Sequence, residues 1–400
     1  MGRATSTVPT LFLLLIFPGG EQEKTLINIL MEKDCVKEYP KSVIKFYPST
    51  WYSFDAFMNS YLYVSHPHSL NDMQDCERYV FDMRGLCGET NLFFKLKNEI
   101  TKNRPEFYKH HDLSRISIDN PRRLYDLQQS IFDSYYSYGG IISLAIDIFN
   151  ELMWSHYTKE SGFAIEYSPV DLENSVINHP NNKTFNKPIF KPVQYKSKPE
   201  SIDCSENNIH DINLFAAYQK CAEWSYEQEW RILVTSKQYL GRYNYYADEQ
   251  EKEFGLRELF YSIDAIKRIF VGKRFWTRLN FIVKDEQIDT YNLRHRYTIQ
   301  KPKKCCEAKR YNLFVEFLKK LSELIRKNVE VYMSGACDCS EYRHGTDHPT
   351  YDENNGRCDF YPNQYYITRS FERIENISIN ENLIEVTYSG KHLTKDCDFE

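Results

Sequence analysis

The chain has 400 residues, which suits two domains or one large domain with additions and suffices to bury a core without disulfide staples. Its 51 basic and 56 acidic residues leave a net charge of −5, which argues against a general attraction to nucleic acid or to an anionic membrane. Apolar residues make up 42% and aromatics 15%, a balance that excludes a disordered, collagen-like or multi-span membrane chain and points to a soluble globular protein.

Residues 1–35 read as a leader. Arg3 and the apolar run Leu11 to Phe17 resemble a weak signal peptide. That run is far short of the roughly 20 residues needed to cross a bilayer. Pro18-Gly19-Gly20 offers no small-x-small cleavage site, and Met31 would serve as an alternative start. A disordered leader or an over-long gene start accounts for the segment better than export. The 11 cysteines are odd in number and scattered, which fits reduced thiols in a cytoplasmic protein and not a secreted disulfide framework.

Beyond the leader, Ile44-Lys45-Phe46-Tyr47 reads as a short strand. Trp51 to Tyr61 carries Phe54, Phe57, Met58 and Tyr61 at helical spacing. Leu62 to Ser65 is a second strand, stopped by Pro67 and the turn formers Ser69 to Asp72. Residues 73–135 are polar and mixed. Gly140 to Leu144 is strand-like, and Asp147 reads as the cap of a helix through Leu152, Met153 and Tyr157. Gly162 ends that helix, and Phe163 to Tyr167 alternates as a strand. After a loop-rich stretch come a strand at Pro192 to Tyr195, a helix at Leu214 to Trp224, and strands at Trp230 to Val234 and Ile266 to Val271. Phe314, Phe317, Leu318, Leu321, Leu324 and Ile325 mark an amphipathic helix. Residues 373–379 and 383–388 read as a hairpin around Asn380-Glu381-Asn382. Strands and helices mix without a regular alternating unit, so the fold class is α+β: a mixed sheet with flanking helices over residues 36–300, and a small C-terminal helix-and-hairpin module over residues 301–400.

Four constellations could carry chemistry. Strand alternation places Glu227, Glu229 and Arg231 on one face. They form either an acid/base pair with an anion anchor or a solvated ion pair at a strand edge. Trp154, His156 and Tyr157 share a helix, and His156 is either a general base or a hydrogen-bonded core residue. Asn71 and Asp72 make an Asx-type turn, from which Asp72 or Asp75 could point into a cleft or satisfy the local backbone. Cys337, Cys339, His344, His348 and Cys358 have soft-metal ligand types but lack paired C-x-x-C knuckles. Incidental Cys and His in a loop account for them better than zinc. No Walker loop, dinucleotide fingerprint, nucleophile elbow or H-E-x-x-H occurs.

The order and spacing of these motifs resemble a widespread bacterial and phage-associated family, domain of unknown function 2971, over about residues 42–275. The resemblance rests on Lys45-Phe46-Tyr47, on Ser65 through Asn71-Asp72 to Asp75-Cys76, and on Met153-Trp154-Ser155-His156-Tyr157 with Gly162-Phe163. It continues in Val193-Gln194-Tyr195 and in Lys220, Trp224, Glu227, Glu229 and Arg231, then Ile269 to Gly272. Met73 departs from the family's usual Asn-Asp-Pro and loosens the turn. The layout is in turn similar to ADP-ribosyltransferase-like domains. That similarity implies a catalytic Glu229 assisted by Glu227 and Arg231, Lys45 or Tyr47 on the ribose or phosphates of NAD, and Trp154 or Tyr157 stacked on nicotinamide. It places Ser65, Asn71, Asp72 and His156 around the same ligand. The expected activity is an NAD-using transferase or hydrolase acting as a defence or toxin-like effector. The alternative is a non-catalytic binding or sensor domain. The expected partner is a small molecule or nucleotide in a cleft, with no resident metal, no membrane and no nucleic acid.

Overall fold

The computed structural model describes residues 38–72, 75–76, 81–82, 98, 132–133, 135–203 apart from 199, 209–241, 257–276, 281–289, 294–338, 351–352, 357–358 and 367–395. The expected leader, most of residues 73–135 and most of the Cys/His cluster lie outside these residues. From Lys41 onward the chain forms one compact unit.

The chain opens with strand β1 (Val43–Tyr47), helix α1 (Trp51–Asn59) and strand β2 (Tyr61–Tyr63). The α1 start is set by Thr50, whose hydroxyl accepts from the Ser53 amide at 3.3 Å, relieving one of the amides a helix leaves unbonded. Strand β3 (Gly139–Leu144) leads to one α-helical turn at Glu151–Met153 and a π-helical turn at Trp154–Thr158. Asp147 does not cap this segment: its carboxylate accepts from Phe149, and the cap is Asn150, whose side chain accepts from Leu152 and Met153. Strand β4 (Phe163–Tyr167), helix α2 (Pro169–Asn178) and strands β5 (Ile189–Pro192) and β6 (Gln194–Lys196) follow. The helix expected to reach Trp224 stops early. Helix α3 covers Ile209–Ala217, strand β7 covers Gln219–Cys221, and a 3-10 turn at Ala222–Glu227 carries the chain into β8 (Trp230–Thr235). Then come β9 (Glu258–Phe260), β10 (Ile266–Val271), β11 (Ile282–Asp289), β12 (Arg294–Ile299), helix α4 (Cys305–Arg326), β13 (Glu330–Asp338), β14 (Ile367–Asn380) and β15 (Leu383–Thr394).

Eight strands form one sheet in the order β1-β4-β10-β13-β14-β15-β12-β11. All neighbours are antiparallel except β10 and β13, which run parallel. Residues 301–400 therefore do not form a separate module. Strand β13 pairs directly with β10, and β15 with β12, so the boundary expected at residue 300 falls inside one sheet. A second, three-stranded sheet runs β3-β8-β5. The two sheets touch through reciprocal main-chain bonds between Ile44 and Ala145.

Aromatic packing explains the helix positions. Phe54 and Phe57 of α1 meet Phe163 of β4 and Phe317 of α4 at ring separations of 4.8–5.9 Å. The Lys320 ammonium of α4 donates to the Phe57 and Met58 carbonyls at 2.6 and 2.8 Å. It thereby satisfies the last turn of α1 where a cation is favoured. One core cluster joins Ile44, Phe46, Ala164, Phe270 and Phe371 of the large sheet to Met153 and Trp154. Another joins Ile141 and Leu233 of the small sheet to Ile212 and Ala217 of α3.

Candidate functional site

The site begins with backbone geometry. At Trp154–Thr158 the chain widens to a π turn, closed by the Lys159 amide bonding back to the Trp154 carbonyl. The Thr158 hydroxyl also donates to that carbonyl at 2.6 Å. Lys159 and Glu160 then adopt left-handed conformations at φ 51° and 61°. Two successive non-glycine residues in that region cost energy, and π turns are rare and concentrate at functional positions. The strain reverses the chain into Gly162. A Cβ there would lie 1.9 Å from the Tyr47 carbonyl oxygen, so only glycine lets β4 begin against β1. The widened turn also rotates Trp154 and Tyr157 to different sides. Trp154 enters the core, fully buried, with its indole N–H on the Ile148 carbonyl at 2.7 Å and its ring edge-on to Phe46. It is a core residue and cannot stack on a ligand. Tyr157 stays half-buried at the surface.

A second local device sits before β8. Gln228 is left-handed at φ 44°, so Glu227 ends the 3-10 turn and Glu229 precedes the strand. The three residues expected on one strand face therefore converge by a turn. Arg231 donates through Nε to Glu229 at 2.8 Å and through NH1 to Asp75 at 2.8 Å and to the Ala217 carbonyl at 2.7 Å. Its NH2 pairs with Asp75 as well. Lys220 donates to Glu227 at 2.6 Å and to Glu229 at 3.3 Å, and lies 3.5 Å from Asp75. Asp75, Lys220, Glu227, Glu229 and Arg231 are all at most 6% exposed, so the group is not a solvated ion pair at a strand edge. This is a buried network in which each of the three carboxylates has a cationic partner and the three share two cations.

Lys45 approaches from the large sheet, donating to the Ser143 carbonyl at 3.0 Å. Burial lowers its pKa to about 8, against the opposing pull of Glu229. Burial alone would raise the Glu229 pKa, but Arg231 and Lys220 outweigh it and hold the carboxyl down to about 2. The carboxylates raise Lys220 further still against its burial. The sign for stability follows. Glu229 binds its proton more weakly folded than unfolded, so its contribution is complete above about pH 4.5 and lost as pH falls toward 2. We expect acid unfolding to steepen in that window, with roughly 3 kcal/mol from this group. Chemical unfolding between pH 5 and 3, compared with Glu229→Gln, checks it: the variant should show a flatter pH slope, and an unchanged slope refutes the assignment.

From this network a hydrogen-bonded path runs outward. The Tyr157 hydroxyl donates to Glu227 at 2.6 Å and accepts from the exposed Asn71 side chain at 3.1 Å. Burial and then Glu227 push the Tyr157 pKa far up, so the phenol keeps its proton. The Tyr195 hydroxyl accepts from the Glu229 amide at 2.8 Å. Around Tyr157 the surface is aromatic. Trp224 and Tyr226 lie 6.0 Å apart, the Tyr226 hydroxyl sits 3.4 Å from His156 Nδ1, and the Lys220 ammonium lies 4.9 Å under the Trp224 ring. His156 is exposed, so it is not the core histidine that one reading allowed.

The remaining expected residues scatter. Tyr47 is buried and stacked on Phe163, which makes it a core residue and not a ribose contact. Ser65 bonds through its main chain to Ile141, where a Cβ on Gly140 would come 2.4 Å from the Ser65 carbonyl oxygen. Its role in the fold is that close strand contact. The sequence offers Asp75 as one of two acids that could point into a cleft, and Lys220 only as a member of a motif. The signal was there: an acid before Cys76 and a base before Trp224 are needed to neutralise Arg231 and the two glutamates. A hollow of about 150 Å³ lies elsewhere, lined by Ile177, Phe185 and Leu259 among others, and contains none of the candidate residues. Cys339, His344 and His348 fall outside the described residues, and among the described ones no group of three His, Cys, Asp or Glu is disposed to hold a metal. No helix among the described residues is long and apolar enough to cross a membrane.

The fold and site define an α+β domain whose two sheets meet over a buried charge network capped by aromatic residues. Over residues 153–232 the chain matches the model of a family described as a protein of unknown function (DUF2971). The matched span runs from the π turn into β8. It contains Trp154, His156, Tyr157, Lys220, Glu227, Glu229 and Arg231, while Lys45, Asn71 and Asp75 lie outside it. No curated protein and no solved structure is matched by the chain.

Proposed function

We propose that the domain is a small-molecule binding module. Its recognition surface is the rim of Asn71, His156, Tyr157, Trp224 and Tyr226, and the buried charges hold that rim in place. The observation that carries this reading is the path Asn71–Tyr157–Glu227–Lys220. A ligand group that takes the place of Asn71 meets a phenol polarised by a buried carboxylate, which is a strong hydrogen-bonding position next to exposed ring faces. The strained backbone at Lys159, Glu160 and Gln228 supports it, since strain of this kind is retained where geometry serves a purpose. NAD, with planar rings on a polar scaffold, is a suitable candidate ligand. Calorimetric titration with NAD and free nucleosides tests the proposal. Tyr157→Phe should weaken binding about 10-fold while costing only about 1 kcal/mol of stability. Binding unaffected by both Tyr157→Phe and Trp224→Ala would sink it.

A second reading, an NAD-using transferase or hydrolase suited to a defence or toxin-like effector, is favoured by the adjacent carboxyl groups of Glu227 and Glu229. A carboxylate can stabilise an oxocarbenium-like transition state. Glu229 would have to leave both Arg231 and Lys220 to act so, whereas Glu227 is one hydroxyl away from the surface. In that reading Glu227→Gln abolishes NAD turnover, and a wild-type protein that leaves NAD intact rules it out.

A further inference from the structure

Arg369 stands on β14, far along the chain from the rim, and its side chain is only 2% exposed. A guanidinium carries five N–H donors in a planar fork, and here each finds an acceptor. Nε donates to one oxygen of Glu151 at 3.1 Å, and NH2 donates to the other. NH1 and NH2 donate to the two oxygens of Glu160 at 3.2 and 2.7 Å. The remaining NH1 proton goes to the Ser334 hydroxyl on β13. The Trp154 ring lies 5.0 Å from the centre of the fork.

Glu151 opens the helical turn and Glu160 follows the π turn, so one side chain ties both ends of the segment that bears His156 and Tyr157. That segment is joined to the 3-10 turn at Ala222–Glu227 by three contacts. Asn150 caps the start through its side-chain oxygen and donates its amide to the Tyr226 carbonyl at 2.6 Å. His156 Nδ1 lies 3.4 Å from the Tyr226 hydroxyl, and Tyr157 donates to Glu227 at 2.6 Å. The aim of Tyr157 depends on the extra residue held in the π turn. Relaxation to a regular α-helix would turn that side chain by about 100° about the axis and away from Glu227. Left-handed Glu160 is where such relaxation is opposed, and both oxygens of its carboxylate are held by Arg369. A lysine could pair with one of the two glutamates, but an ammonium lacks the fork that spans both.

We infer that Arg369 is a positioning residue for the rim. From a strand outside the matched span of residues 153–232, it holds the π turn in the register that aims Tyr157 at Glu227. This rests on the binding surface proposed above and assigns part of its geometry to the C-terminal strands.

The ring carbon that bears the Tyr157 hydroxyl reports this bond by nuclear magnetic resonance. In the full chain, isotope-labelled at that carbon of every tyrosine, the signal lost in Tyr157→Phe belongs to Tyr157. Arg369→Lys keeps the charge without the fork. It should move the signal toward that of free tyrosine and weaken NAD binding about 10-fold. Glu151→Ala, at a side chain 61% exposed, should move the signal the same way, and it decides the matter if Arg369→Lys does not fold. Arg296→Lys is the control. It alters another Arg–Glu pair of the same sheet, Arg296 with Glu385 at 2.8 Å, and should leave the signal in place. A merely structural Arg369 would lower the melting temperature and leave Tyr157 where it is. A signal unmoved in Arg369→Lys, or in Glu151→Ala where only that variant folds, therefore overturns the inference, as does an equal shift in Arg296→Lys. If the signal moves as expected while NAD and nucleosides fail to bind the unmodified chain, the positioning role stands and the binding surface fails.

Discussion

Arg231→Met is expected to destabilise the protein by about 3–5 kcal/mol, the cost typical of removing one partner from a buried ion network. The guanidinium is 1% exposed and satisfies Glu229, Asp75 and the Ala217 carbonyl together. Without it three carboxylates, Asp75, Glu227 and Glu229, remain buried around Lys220. Methionine keeps much of the volume, so the loss reports uncompensated charge and not a cavity. Since whole domains are stable by only about 5–15 kcal/mol, the variant should unfold at a much lower denaturant concentration. A loss below about 1 kcal/mol would show that the network relaxes around the gap or admits water. The same logic separates holding from binding: Tyr157→Phe, at the outer end of the path, should be mild in stability and severe in binding.

Trp154→Ala is the second large effect, with an expected cost of about 3–5 kcal/mol. The indole is fully buried between Phe46 and Phe371, with the Arg369 guanidinium 5.0 Å from its ring. Arg369 is itself bonded to Glu160 at 2.7 Å and pairs with Glu151. Removing the ring opens a cavity at the junction of the large sheet and the π turn, and it leaves that arginine without its aromatic face. Trp224→Ala is the control. Trp224 is only half-buried, and its loss should cost about 1 kcal/mol. Thermal melts of the two variants side by side check this contrast. If Trp224→Ala unfolds the protein as readily as Trp154→Ala, Trp224 belongs to the core and the rim loses its central ring.

The contrast shows what could be read locally. The strands Phe163 to Tyr167 and Ile266 to Val271 were legible because each is a short run rich in aromatic and β-branched residues, although burial along them does not alternate and all five residues of the first are buried. The helix through Phe314 to Ile325 was legible because its apolar residues recur at a period of about 3.6. The end of α3 was not. Nothing local to Tyr218 announces that the chain leaves the helix there; the next three residues pair with Gln194–Lys196, a contact distant in sequence. The boundary at residue 300 went the same way, because only long-range pairings, of β13 with β10 and of β15 with β12, show that the last hundred residues complete the first sheet.

For the site, the sequence by itself determined which side chains were candidates and that Glu227, Glu229 and Arg231 belong together, since spacing along a short segment bounds distance. It also determined the α+β class and the family resemblance. Only the tertiary structure decided which of the candidates are walls and which are surface. Trp154 and Tyr157 lie three residues apart, and a regular helix would present them on one face. The π turn sends one into the core and the other to Glu227. Asp75 and Arg231 are 156 positions apart, and their pairing follows from β8 lying in the small sheet with α3 packed against it. Burial and charge matching are properties of the folded surround, summed over residues far apart in the chain, and no local pattern carries them.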